Sequence, residues 1–274
     1  MKNILVPTDF STASRNAVKY SVSLVQSFDA TVILINVVPP SVMIDDSILA
    51  SVMITQAEIL EENKKKMEQE IEALSKKYSI KAKGFVRAGS ALAIISGMAK
   101  VKHAELIVMG MKGKGESNSV FGSTTTALIR KSTYPVFVIP EKAVFKPIDN
   151  ITYASDFDAA VEPDRYTVLL ALADKFNSQV NILNVQKKAS SMKPVDAIGK
   201  MKASVAFSKH NHQFHTIYEK NVEEGINEFI KQNPTDVLTM VAHKHPFFKH
   251  LFGKVHTKAM SYQTKIPLLV LQSE

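Results

Sequence analysis

Asn3-Ile-Leu-Val-Pro-Thr-Asp9-Phe10 near the start of the chain returns as Asn150-Ile-Thr-Tyr-Ala-Ser-Asp156-Phe157, 147 positions on. Each stretch is a short run rich in β-branched and apolar residues that ends at a turn-forming acid. From this pair the echo continues outward. Ile33-Leu-Ile-Asn36-Val37 matches Asn181-Ile-Leu-Asn184-Val185, Leu106-Ile-Val-Met-Gly110 matches Leu238-Thr-Met-Val-Ala242, and Pro135-Val-Phe-Val-Ile139 matches Pro267-Leu-Leu-Val-Leu271. A period of this size is that of a domain rather than a solenoid unit, so the chain reads as a duplicated domain. The boundaries expected are 1–141 and 148–274, with Lys142 to Asp149, which carries Pro147, as linker. The second copy is shortened in its middle, about Ser190 to His210.

The order of patterns within each copy gives the fold class. After the strand Ile4-Leu-Val6, residues Ala13, Ala17, Tyr20, Leu24 and Phe28 follow helical spacing. Thr31 to Val38 is nearly continuous in apolar residues, as a strand covered on both faces requires. A charged amphipathic helix is expected over Ile48 to Tyr78 after the Pro39-Pro40 break. A strand over Lys81 to Val86, a helix from Ala91, a strand over Leu106 to Met109, a helix over Thr124 to Lys131 and a strand over Val136 to Ile139 complete the copy. Such alternation predicts an α/β fold: two tandem, doubly wound, parallel five-stranded sheets with helices on both faces, Rossmann-like. Ligands in such sheets sit at the carboxyl ends of the strands, where the strand order reverses. Asp9, Val37 and Gly110 all fall there.

Composition narrows the function classes. The 274 residues include no cysteine, which excludes disulfides, iron–sulfur clusters and thiol catalysis and fits a reducing compartment. No long apolar run opens the chain and none approaches the length of a membrane span, so a cytoplasmic protein without membrane attachment is expected. The net charge of +8 is dispersed. Its densest run, Lys64-Lys65-Lys66, is flanked by Glu61, Glu62, Glu68 and Glu70, a solvated helix face rather than a nucleic-acid surface. Seven of the eight histidines lie in the second copy, with His243, His245, His250 and His256 in one loop and His210, His212 and His215 before a strand. No carboxylate or cysteine completes a ligand spacing, so no metal is expected. Neither a Walker lysine motif, a Gly-x-Ser-x-Gly elbow nor a His-Glu-x-x-His pair occurs, and no catalytic residue is assigned.

After the fourth strand the first copy reads Gly110-Met-Lys-Gly113-Lys-Gly-Glu-Ser-Asn-Ser-Val-Phe-Gly122-Ser123-Thr124. Glycines at Gly110 and Gly113 admit close backbone approach, the helix opening at Gly122-Ser123-Thr124 favours phosphate, and Lys112 and Lys114 add positive charge. Two glycines and a helix start also make an ordinary loop. The second copy has Ala242 for the first glycine, His245 for the second and Lys254 for the serine, with Pro246-Phe247-Phe248 adding bulk.

With Pro7-Thr8-Asp9, Asn36-Val37-Val38, the glycine loop and the strand led by Pro135, the chain resembles the universal stress protein family in its tandem two-domain form. The gap between the second and third glycines is one residue shorter than that family's pattern. The resemblance implies that the first copy binds ATP, with or without Mg. Asp9 and the backbone at Val37 would then face adenine and ribose, Gly110 and Gly113 the ribose and α-phosphate, and Gly122, Ser123 and Thr124 the outer phosphates, with Pro7, Thr8 and Lys112 also in the nucleotide site. It implies a nucleotide-responsive stress protein rather than an enzyme, its second domain a degenerate partner. A slow ATPase or phosphotransferase and a nucleotide-free partner-binding protein are the alternatives. It also implies that the two domains pair through their last strands, and it allows whole chains to form a homodimer.

Overall fold

The structure, a computed structural model, describes residues 1–40, 49–112, 121–157, 162–186, 194–242 and 265–272. The first half runs β1 (Asn3–Pro7), α1 (Thr12–Phe28), β2 (Thr31–Val38), α2 (Leu49–Tyr78), β3 (Lys81–Ala88), α3 (Ala91–Val101), β4 (Leu106–Gly110), α4 (Ser123–Lys131) and β5 (Val136–Ile139). The second half repeats the plan. It comprises β6 (Asn150–Ala154), a 3-10 turn over Pro163–Tyr166, α5 (Thr167–Phe176), β7 (Gln179–Gln186), α6 (Pro194–Ala206), β8 (His212–Tyr218), α7 (Val222–Gln232), β9 (Val237–Ala242) and β10 (Leu268–Gln272). The shortening lies at α6, which has 13 residues where α2 has 30.

All ten strands form one sheet in the order β3-β2-β1-β4-β5-β10-β9-β6-β7-β8. Within each half every pairing is parallel, and the halves meet where β5 and β10 run antiparallel, with Val136 opposite Val270 and Val138 opposite Leu268. The expected pairing of last strands is therefore present, and it turns two five-stranded sheets into one. Both strands are apolar and led by proline, and each would present an unpaired edge without the other.

Strand residues alternate between two cores, one on each face of the sheet. Ile4, Val6, Val32, Leu34, Val108 and Phe137 pack with α1, α2 and α5 on one side, while Leu5, Ile33, Ile35, Ile107, Met109 and Val138 pack with α3 and α4 on the other. Because both faces are covered, the central strands read as apolar runs.

Local geometry is duplicated along with sequence. Phe10 and Phe157 both take the left-handed conformation, at φ 59° and 56°. Asp29 and Asn177 do the same as C-caps of α1 and α5, where the left-handed residue returns its amide to the helix. The segment between the halves is packed rather than slack. Asn16 Nδ2 donates to the carbonyls of Pro140 and Ala143 at 2.9 and 2.8 Å, and Ile148 is buried.

Candidate functional site

The carboxyl ends of β1, β2 and β4 are held apart by a set of short turn contacts. The Thr8 amide donates to the Ile35 carbonyl at 2.9 Å, continuing the β1–β2 ladder one residue past the strand. Thr8 Oγ1 accepts from the Phe10 amide at 3.1 Å and Asp9 Oδ1 from the Ser11 amide at 3.0 Å, which fold the chain back through the left-handed Phe10. Ser11 then caps α1 by accepting from the Ser14 amide. Asn36, buried at the end of β2, donates to the Thr8 carbonyl at 2.8 Å and accepts from Asn63 of α2 at 3.0 Å. The turn thus sits at a fixed height above the sheet.

On the other side of the crevice the chain leaves β4 at Gly110 and comes back at Gly122, whose amide donates to the Met111 carbonyl at 2.8 Å. Gly122 is the N-cap of α4 and offers no side chain to close the first turn. The first-turn amides of a helix lack intrahelical partners, and this end of the helix carries its positive pole. Thr125 Oγ1 donates to the Gly110 carbonyl at 3.1 Å, pinning α4 to the end of β4.

Between these walls lies a cavity of about 340 Å3 lined by Pro7, Thr8, Asp9, Val37, Gly110, Lys112, Gly122, Ser123 and Thr124. Of the ten residues nominated from the sequence, these nine come together. The tenth, Gly113, lies outside the described residues, as do Lys114, His245, Gly253 and Lys254. Ser14, Ile35, Pro39, Ala91, Ile95, Met109 and Thr125 also line the cavity and were not nominated. Ile35, Ile95 and Met109 give it an apolar wall, and their sequence signal was indistinguishable from that of ordinary core.

One glycine has a different reason from the one its motif suggested. A Cβ on Gly110 would lie 2.8 Å from the Ala13 carbonyl oxygen and 3.2 Å from the Ser14 amide nitrogen. Close packing of α1 against β4 therefore requires glycine at this position whether or not a ligand approaches.

The second half repeats the frame. The Ser155 amide donates to the Leu183 carbonyl, Ser155 Oγ accepts from the Phe157 amide, and Asn184 Nδ2 donates to the Ser155 carbonyl. What covers the frame differs. A Cβ at Gly199 of α6 would fall 1.8 Å from the Phe157 carbonyl oxygen, so this helix presses directly on the turn. The three described histidines of this half are engaged separately: His210 Nε2 lies 2.8 Å from Asp174 Oδ1, His212 Nδ1 meets the His210 carbonyl, and His215 Nε2 meets Asn181 Oδ1. No three metal-ligating side chains converge among the described residues, and no described helix is long and apolar enough to cross a membrane.

Comparison with known proteins bears on this frame. Residues 1–140 match the model of the universal stress protein family. A universal stress protein of Methanocaldococcus jannaschii is 30% identical over 139 residues, which cover 50% of this chain and 81% of that protein. The crystal structure of a universal stress protein from Archaeoglobus fulgidus superposes with a TM-score of 0.71 at 16% identity, covering 99% of this chain and 98% of that one. A structure from Pseudomonas aeruginosa described as a universal stress protein gives a TM-score of 0.54 at 12% identity, over 99% and 93% of the two chains. At such identities these two likenesses bear on the fold alone.

Proposed function

We propose, from the premise that the chain belongs to the universal stress protein family, that its first half binds an adenine nucleotide, ATP, and that it works as a nucleotide-responsive binding module. The observation that carries this reading is the convergence of nine motif residues on one cavity at the carboxyl ends of β1, β2 and β4. That is where doubly wound sheets take their ligands. A volume of about 340 Å3 lies within the range of specific small-ligand pockets.

The division of labour follows from the chemistry of the walls. The apolar side chains of Ile35, Ile95 and Met109, with Pro7, Thr8, Asp9 and Val37, suit a flat base and its ribose. Lys112 and the start of α4 at Gly122, Ser123 and Thr124 suit phosphate, through a cation, backbone amides and hydroxyls. The second half serves as a degenerate partner, because His245 and Lys254 stand where the first half has Gly113 and Ser123, and α6 lies on its turn.

Retention rather than turnover follows from what the cavity offers. Among the described lining residues the carboxylate is Asp9, and its Oδ1 already accepts from the Ser11 amide. Among the described residues the site offers positioning and charge stabilisation without a free base to activate water, which favours holding the nucleotide. The test is the nucleotide content of protein purified without added ATP, paired with a steady-state hydrolysis assay. The expected result is bound adenine nucleotide and turnover below about 1 s⁻¹, the lower end of ordinary enzyme rates. Faster turnover, lost in Asp9→Asn without loss of binding, would favour the ATPase reading. Absence of nucleotide together with no uptake of added ATP would leave a nucleotide-free partner-binding protein.

A further inference from the structure

Leu60, Met67, Ile71 and Leu74 form the apolar stripe by which α2 packs onto the sheet. Their spacing is that of a single helix face. The same face carries two amides, Asn63 between Leu60 and Met67 and Gln56 one turn before Leu60. A polar side chain at such a position costs free energy unless it is hydrogen-bonded, and an apolar residue at either place would simply extend the stripe. Both amides are hydrogen-bonded, and both reach the frame of the nucleotide cavity. Gln56 Nε2 donates to the carbonyl of Pro39, a lining residue, at 3.3 Å. Asn63 Nδ2 donates to Asn36 Oδ1 at 3.0 Å.

Asn36 passes the second contact on. Its own amide donates to the Thr8 carbonyl at 2.8 Å, and Thr8 and Asp9 line the cavity. Asn36 is buried, and its orientation is set from both sides. The nitrogen has to face the Thr8 carbonyl, so the oxygen faces α2, where a donor is required.

The second half keeps the inner contact and changes the outer one. Asn184 Nδ2 meets the Ser155 carbonyl at 2.8 Å, while its Oδ1 accepts from Gln186 of its own strand at 2.9 Å. Val38 stands 148 positions before Gln186, as Asn36 does before Asn184. Valine has no side-chain donor, and in the first half the oxygen is met from α2 instead. In the half that carries the candidate site, the turn is therefore tied to a helix.

We infer that Asn63 is a positioning residue for the nucleotide site, and that the chain Asn63–Asn36–Thr8 couples occupancy of the cavity to the docking of α2. This rests on the nucleotide reading and adds a means of regulation to it. A ligand seated against Thr8 and Asp9 holds the turn at the height where Asn36 accepts from Asn63, and a helix docked there holds the turn for the ligand. Such coupling is reciprocal: the nucleotide tightens α2 by as much as α2 tightens the nucleotide. The outer face of α2, with its Glu61–Lys64 and Glu62–Lys66 ion pairs, is then the surface at which the occupied state is displayed.

Calorimetric titration of the full chain with ATP, repeated on Asn63→Leu and Asn63→Asp, tests the coupling. Leucine continues the apolar stripe and aspartate keeps the shape, and at pH 7 neither donates to Asn36. Affinity should fall about threefold or more in each, the worth of one amide hydrogen bond. Glu61→Gln, on the exposed face, should leave it unchanged. Because the effect passes through Asn36, Asn63→Leu should cause no further loss in an Asn36→Val background. Hydrogen exchange supplies the reciprocal readout, which a merely structural role of Asn63 would not move. ATP should slow amide exchange in α2 around residue 63 of the wild type and not in Asn63→Leu. Thermal unfolding without nucleotide verifies that each variant folds. Unchanged affinity in both Asn63 variants, additive losses in the double variant, or equal slowing of α2 with and without Asn63 would each overturn the coupling and leave the nucleotide reading standing. A wild-type chain that takes up no ATP would remove that reading and the coupling with it.

Discussion

Gly110 faces the cavity on one side and the packed backbone of α1 on the other. Its missing side chain is required on the α1 side, where a Cβ would stand 2.8 Å from the Ala13 carbonyl. Gly110→Ala is therefore expected to destabilise the fold by about 1–3 kcal/mol through overpacking, measured by denaturant unfolding with or without ATP. A variant as stable as the wild type would show that α1 yields at this contact. His215 carries a second expectation at this scale. Its ring packs on Phe229 at 4.9 Å, its Nε2 meets Asn181 Oδ1, and burial pushes its pKa below the ordinary 6.5. The unfolded chain then takes up the proton at a higher pH than the folded one. The contribution of His215 to stability is complete above pH 6.5, declines as pH falls toward the depressed folded value, and is level below it. Unfolding midpoints of His215→Gln and wild type between pH 7 and pH 5 should show a shallower acid decline in the variant. Parallel declines would remove His215 as a source.

At the scale of elements, the seam between β5 and β10 is the feature whose loss should show most directly. Val136, Phe137 and Val138 are fully buried there against Val270, Leu269 and Leu268. A first half ending at residue 141 would expose the β5 edge, and an apolar edge of this kind is a template for pairing with another chain. That fragment should self-associate in sedimentation analysis, and Val136→Lys should restore a monomer. A monomeric fragment without the substitution would mean that β5 does not need its partner. The elements themselves were largely legible in the sequence, because each strand is covered on both faces and reads as an apolar run, and each helix breaks that run with a 3.6-residue period. Thr31 to Val38 and Val136 to Ile139 agree with the observed strands at both ends. Other boundaries moved by a residue or two, as where β3 extends to Ala88 because its last residues continue to pair with Val37 and Val38.

The whole molecule is a duplication in which one frame was kept twice and its coverings diverged. The paired left-handed turns at Phe10 and Phe157 and the matched Asn36 and Asn184 contacts show the frame kept. Divergence is visible where α6 rests on the Phe157 turn. Polar and glycine positions of the site were readable because they break the local pattern, as Asp9, Lys112 and Gly122 do. Ile35, Ile95 and Met109 were hidden, since an apolar residue facing a cavity and one facing core carry the same signal. The central claim is that one half alone takes the nucleotide, and calorimetric titration of the full chain with ATP tests it most directly. One ATP should bind per chain, Gly122→Val should lower the affinity at least about tenfold, and Gly253→Val should leave it unchanged. Two equivalents per chain, or an affinity untouched by Gly122→Val, would contradict the account.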